Sequence, residues 1–305
     1  MPEPSEKVCF KHRFEYFVVH NLKKLSLSVS DAAVARIQFL IFVLLYYVFR
    51  VQRHVVDTNF RIAYPDLQED EREKLIRANY QWSARVSVEM MRMDRWQNRT
   101  EEYVSFHGLS VLDEALSEDN GVILVSGHFG HWEMIVPSLA EKGYEMYIYV
   151  GEQSNPLVNA MHNKTRASFG AHPIERGSSA RFEFMRTLKK QNVLAMLVDQ
   201  NDRKTDTFVN FFGKLAAVTR SAAGFHLARK SPIVVAYCPF VGNGVEIHFE
   251  RVNCEKTSDK KQDQINITQA ISDVIEGFVR QYPDQYFWMH RRWRTRPAED
   301  PVFVY

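Results

Sequence analysis

The run Val122-Ile123-Leu124-Val125-Ser126 constrains this chain more than any other stretch, because it is apolar up to its last residue and leads at once into Gly127 and His128. A short β-type run of this kind, opened by the turn pair Asn120-Gly121, reads as a buried strand that delivers a histidine to the edge of a sheet. The same grammar continues through the rest of the chain. Strands are expected over 121–126, 145–150, 193–198, 232–239 and 244–252, with helices over 131–141, 155–169, 178–190, 219–230 and 263–281. Strands alternating with helices predict an α/β fold: a mixed, mostly parallel central sheet flanked by helices on both faces. Sites in such folds collect at the carboxyl ends of strands. His128 and Asp199 both fall at such ends, which places them in one crevice.

His128 is the expected general base. Glu133 lies five positions on, in the expected first turns of a helix and within reach of the imidazole. A carboxylate on one ring nitrogen fixes the tautomer and stabilises the imidazolium. The other nitrogen is then free to take a proton from a hydroxyl. Such a pair suits acyl transfer to an alcohol without a covalent enzyme intermediate. His131 opens a competing reading, since His128, His131 and Glu133 are all of metal-ligand type. Zinc ligands on a helix usually come four apart, and this set does not share a helical face. No metal is therefore expected, and His131 is expected to line the pocket. No Gly-x-Ser-x-Gly elbow exists, so a serine hydrolase has no anchor. Thr219 and Ser221 read as helix-start residues.

The N-terminal part is of another kind. Residues 10–25 place Phe10, Phe14, Phe17, Val18, Leu22 and Leu25 at helical spacing among Lys11, His12, Arg13, Lys23 and Lys24, a basic amphipathic helix. Residues 37–49 are apolar except for Gln38 and are flanked by Arg36 and Arg50. A helix of that length reaches only about 20 Å, short of a hydrocarbon core of about 30 Å. Both segments are expected to lie on or dip into a membrane surface, their basic residues meeting anionic headgroups. A buried core helix and a single span are the alternatives for the second. Residues 68–92 read as a helix opened by Glu69, Asp70, Glu71 and Glu73 at its positive end. Residues 1–60 are thus expected to form membrane-associating helices and 61–305 a catalytic domain. No cleavable signal peptide, internal repeat or low-complexity linker is visible.

Composition narrows the class. A hydrophobic share of 45% supports a sizeable core, and 21 Phe suit contact with lipid as well as packing. A net charge of only +2 gives a nucleic-acid partner no support. Cys9, Cys238 and Cys254 have no metal-type spacing and are odd in number, so they read as reduced thiols of a cytosolic or cytosol-facing protein.

Four motifs stand in order: Gly127-His128-Phe129-Gly130-His131-Trp132-Glu133, Val198-Asp199-Gln200, Phe211-Phe212-Gly213 and Trp288-Met289-His290-Arg291-Arg292-Trp293. The His-x-x-x-x-Glu element resembles the signature of the glycerolipid acyltransferase superfamily. The set together resembles the late acyltransferases of lipid A biosynthesis, the lauroyl and myristoyl branch, from about Asn59 to Pro297. The resemblance implies an αβα acyltransferase fold at the cytoplasmic face of the inner membrane. It implies acyl carrier protein as acyl donor, a hydroxyl of a lipid A precursor as acceptor, and no cofactor. It also implies a binding or catalytic role for Arg166, which stands just before Phe169-Gly170. A guanidinium there can grip a substrate phosphate or the oxyanion, the alternative being a solvated helix charge. Arg176 and Arg181 are weaker candidates for the same work.

The other matched residues keep two readings each. Asp199 and Gln200 are expected to bind substrate, Asp199 holding an arginine or the sugar, or else to cap a turn. Phe212 is expected to wall an acyl tunnel, with plain packing as the alternative. Trp288 to Arg296 suits phosphate, headgroups or the carrier protein's acidic surface, or else a strand closing the sheet. Two rival activities stand beside the first: acylation of another glycolipid, such as a phosphatidylinositol mannoside, from coenzyme A, and a non-catalytic lipid carrier. The intact His128/Glu133 pair argues against the carrier.

Overall fold

The computed structural model describes residues 8–151, 154–177, 179–254, 257–300, 302 and 304–305. Ser178, the first residue of the helix expected over 178–190, lies outside the described residues, as do the first seven residues of the expected N-terminal segment. The strands are β1 (Val104–His107), β2 (Val122–Ser126), β3 (Met146–Val150), β4 (His172–Glu175), β5 (Val193–Leu197), β6 (Phe208–Phe211), β7 (Lys214–Ala217), β8 (Ile233–Tyr237), β9 (Phe240–Val241) and β10 (Gly244–Arg251). The central sheet runs β1-β10-β8-β2-β5-β3-β4, with β9 paired to β10 beside that path; β6 and β7 form a separate hairpin. Every pairing in the central sheet is parallel except those of β10 with β8 and β9. The mixed, mostly parallel sheet expected from the alternation is the one that forms.

The helices are α1 (Phe10–Ser28), α2 (Asp31–Val43), α3 (Arg53–Ala63), α4 (Glu69–Met91), α5 (Ser110–Leu116), α6 (Ile135–Glu141), α7 (Pro156–Ser168), α8 (Ala180–Lys189), α9 (Ser221–Arg229) and α10 (Lys260–Gln281). Alternate residues of the central strands feed two apolar cores, one per face. Ile123, Val125, Leu194, Met196 and Val235 pack with Phe60, Tyr80 and α10's Ile271, Ile275 and Phe278. Val122, Leu124, Val193, Ala195 and Val234 pack with Trp82, Leu112 and Leu139. Each Val, Leu, Ile, Phe or Met side chain among them contributes on the order of 1.5–3 kcal/mol on full burial. That explains why β2 and β8 carry no polar alternation: both faces are covered.

The apolar N-terminal stretch is longer than the sequence indicates. Ser30 caps α2 by accepting from the Ala33 N–H, Asp31 follows in the first turn, and the helix continues through a π-helical turn, Leu44–Val48. The combined helix Asp31–Val48 has 18 residues, a mean hydropathy of 1.7 and 11% of its residues buried. This overturns the buried-core alternative: Phe39, Leu40, Tyr47, Val48 and Phe49 all face outward. Its inward polar group, Gln38, donates to Glu89 of α4 at 2.9 Å. Lys23 of α1 also turns inward, to Asp94 at 2.7 Å and Thr165 at 2.8 Å, and so is not among the outward basic residues.

Candidate active site

Strand register builds the centre of the site. β2 and β5 are parallel neighbours with Ser126 opposite Leu197, so His128 and Asp199 each stand two residues past the end of paired strands. The Val198 N–H still donates to the Ser126 carbonyl at 3.1 Å, which carries the pairing one step further. Asp199 then binds His128 twice. Its Oδ1 is 2.8 Å from His128 Nδ1, and its Oδ2 accepts from the His128 backbone N–H at 2.8 Å. The approach favours a glycine at 127, where a Cβ would stand 3.1–3.2 Å from three Asp199 side-chain atoms and push the carboxylate back by a few tenths of an ångström. Asp199 is buried, which by itself raises its pKa, but the His128 charge and its two hydrogen bonds, with Arg292 nearby, hold it down at about 2. An ionised carboxylate only accepts, so the His128 proton sits on Nδ1 and the Nε2 lone pair is left for another partner. Gln200 Nε2 lies 3.3 Å from that atom.

The expected His128–Glu133 pairing does not form. The chain between them does not run straight into a helix. Phe129 and Gly130 bridge to Tyr286 and Cys238, and a 3₁₀ turn over Trp132–Met134 precedes α6. Gly130 sits at a φ of +55°, where a Cβ would fall 1.9 Å from the Cys238 carbonyl oxygen, so only glycine makes this turn. Glu133 is carried round to α7, whose Arg166 grips it bidentately at 2.8 and 3.0 Å. Burial raises the Glu133 pKa, and the Arg166 charge outweighs it and keeps the carboxylate ionised. Arg166 also donates to Asn163 at 2.9 Å. Glu133 therefore acts on His128 through its field rather than by contact.

Two further expectations are corrected. His131 does not line the crevice. It is fully buried between Phe240 and Tyr103, ring centroids 5.4 and 6.3 Å away, and burial lowers its pKa to about 3. Among the described residues neither of its ring nitrogens has a hydrogen-bond partner. Phe212 sits in the turn between β6 and β7 at a φ of +53° and packs on Tyr64 and Trp288 beneath the Arg280 guanidinium. It is a packing residue there. Arg176 and Arg181 are exposed.

The C-terminal motif is a strap rather than a strand. Trp288 and Trp293 are buried, and buried Arg292 donates to the Ala217 carbonyl at 2.8 Å. His290 Nε2 accepts from the Asn201 N–H at 2.8 Å, while Asn201 and Thr295 exchange two hydrogen bonds. The loop after Asp199 is thereby stitched down. The Phe287 N–H donates to the His128 carbonyl at 3.0 Å, and Phe287 and Trp132 pack against the His128 ring. Two buried asparagines hold the strap from outside: Asn79 donates to Asp284 and Tyr286, and Asn59 to Trp288 and His290. Neither asparagine was singled out in the sequence; an amide inside an apolar helical face was the available signal. A narrow, mostly apolar cavity of about 30 Å³ lies beside Glu133, lined by Ser126, Trp132, Val136, Ile148, Met196 and others.

A family model described as bacterial lipid A biosynthesis acyltransferase matches residues 15–295. Among curated relatives, the lipid A biosynthesis lauroyltransferase of Escherichia coli K12 is 24% identical over 257 residues, covering 81% of this chain and 80% of its own. The lipid A biosynthesis palmitoleoyltransferase of the same organism is 24% identical over 251 residues, covering 81% and 80%. The lipid A biosynthesis myristoyltransferase is 22% identical over 248 residues, covering 79% and 75%.

Proposed function

The chain belongs to the bacterial lipid A biosynthesis acyltransferase family, and on that premise we propose that it moves a fatty acyl chain from the thioester of acyl carrier protein to a hydroxyl of a lipid A precursor. Membership makes it an acyltransferase; donor, acceptor and residue roles are our reading. His128 Nε2 takes the proton of the acceptor hydroxyl as its oxygen attacks the thioester carbon. Asp199 holds Nδ1–H and balances the imidazolium. The tetrahedral oxyanion collapses with cleavage of the carbon–sulfur bond, and the departing thiolate recovers the proton from Nε2. An ester forms and no oxidation state changes, so the chemistry calls for no redox cofactor. Arg166 has five N–H groups, of which Glu133 and Asn163 occupy three. Among the described residues the other two have no hydrogen-bond partner, which leaves them for the oxyanion or a substrate phosphate. Glu133 positions Arg166, and Gln200 orients the hydroxyl at Nε2.

The observation that carries the reading is the 2.8 Å contact of His128 Nδ1 with Asp199 at the carboxyl ends of β2 and β5. The outward apolar faces of α1 and of Asp31–Val48 support a place at the membrane, and we assign the cytoplasmic face of the inner membrane, where an acyl carrier protein donor is met. The test is donor choice. Purified protein in detergent, given a tetra-acylated, Kdo-bearing lipid A precursor, is expected to add one acyl unit from the carrier-protein thioester, read by mass. Coenzyme A thioesters are expected to serve poorly. Transfer from coenzyme A alone, or only onto a different lipid, would contradict the proposal.

A further inference from the structure

A second cluster of chemistry-bearing side chains lies at the β1 edge of the sheet. β1 and β10 run parallel, with Ser105 opposite Glu246 and His107 opposite His248. Residues two apart on a strand share a face, so these four form a square on one face of the pair. On β10 that face is the half-buried one, since Val245, Ile247 and Phe249 are buried on the other. Glu246 Oε2 is 3.0 Å from His248 Nε2 and 3.6 Å from His107 Nε2, and the three ligand atoms lie within 4.8 Å of one another. A tetrahedral zinc ion with bonds of about 2.0–2.1 Å holds its ligand atoms about 3.3 Å apart, between the two measured distances. Both histidines turn the same nitrogen toward the same carboxylate oxygen. No lysine or arginine pairs with Glu246 among the described residues.

We propose that His107, Glu246 and His248 bind a divalent transition ion of the zinc class. Two imidazoles and one carboxylate suit such an ion, whereas magnesium and calcium seek oxygen ligands throughout. The two rings are stacked, centroids 4.6 Å apart and 12° from parallel, so they must tilt to share an ion. His248 is also stacked on Tyr237 and stays. His107 is about half exposed (49%) and turns about its side-chain bonds. Ser105 Oγ, 3.5 Å from His107 Nε2, or water completes the set. The consequence is mechanical. β1 is a four-residue edge strand with β10 as its neighbour, and the ion clamps the one onto the other.

The test is calorimetric titration of the full chain in detergent, freed of metal by chelation, with zinc chloride and with magnesium chloride. Wild type and His128→Ala are expected to bind one equivalent of zinc, and magnesium is expected not to bind. The double variant His107→Ala/His248→Ala is expected to lose that equivalent, and zinc is expected to raise the melting temperature of wild type but not of the double variant. His107→Gln, which leaves the Tyr237–His248 stack in place, serves should the double variant fail to fold; it is expected to weaken binding by at least about tenfold. Zinc binding unchanged in His107→Gln, lost in His128→Ala, or absent from folded wild type would overturn the site.

Discussion

His128 differs from a surface imidazole in what its two nitrogens face. Burial alone would lower its pKa, but the charge and hydrogen bond of Asp199, with Glu133 further off, outweigh this and raise it above the ordinary 6.5. The form that takes a proton is the neutral one. Transfer is therefore expected to rise with pH through a midpoint above 6.5. Asp199→Asn removes the opposing charge. It is expected to move that midpoint to lower pH and to cut the plateau rate by about 10²–10⁴-fold, which kcat/KM against pH measures for both proteins. The Glu133–Arg166 pair gives a second expectation, with both side chains about nine-tenths buried (10% and 9% exposed). Glu133→Ala leaves a buried cation uncompensated and is expected to destabilise by about 3–5 kcal/mol in urea unfolding. Adding Arg166→Met is expected to restore most of that stability without restoring transfer. At this scale the sequence disclosed His128, because a histidine after a buried strand is a local feature. It brought Asp199 to the same crevice without naming it as the partner of His128, since Asp199 lies 71 positions away and the contact is made only through sheet register. The five-residue spacing to Glu133 misled for the converse reason: the helix expected from 131 opens with a 3₁₀ turn over Trp132–Met134, and Glu133 is carried to Arg166 instead.

Among the elements, α4 and α10 held to expectation as long helices, and β2, β5 and β8 as strands buried on both faces. The acidic first turn of α4 and the apolar runs of β2, β5 and β8 report their environment directly. β1, β4, the β6–β7 hairpin and β9 run only two to four residues and lie outside the sheet's centre, where no continuous apolar run is needed, so the sequence does not announce them. α3 and α5 were missed as well; each packs through a few side chains of one face. The strap from Tyr286 to Thr295 depends on single amides of α3 and α4. Asn79→Ala would leave the Asp284 and Tyr286 carbonyls without that donor, and is expected to cost about 1–3 kcal/mol. Because Phe287 lies on this strap and bonds the His128 carbonyl, transfer is expected to fall further than the folded fraction does. Thermal unfolding and transfer measured on one preparation check the two together.

For the whole molecule, the apolar side chains left outside a well-packed sheet domain gather on its N-terminal helices. Phe10, Phe14 and Phe17 of α1, Phe39, Leu40, Tyr47 and Val48 of the Asp31–Val48 helix, and Phe49 just after it are all exposed. Exposed apolar surface of this kind fits a lipid interface, and the helix reaches about 27 Å, close to a hydrocarbon core of about 30 Å. The amphipathic pattern was legible in the sequence. The inward anchors, Gln38 on Glu89 and Lys23 on Asp94 and Thr165, were not, because they depend on which face α4 and α7 present. Phe39→Glu with Leu40→Glu is expected to release the protein from vesicles of phosphatidylethanolamine and phosphatidylglycerol in a flotation assay, while transfer in detergent persists. His128, held by Asp199, is the proposed base of acyl transfer. Single-turnover transfer from acyl carrier protein thioester to lipid A precursor, compared between wild type and His128→Ala of equal thermal stability, is the decisive comparison. A loss of at least about 10²-fold is the result predicted; turnover near that of wild type would contradict it.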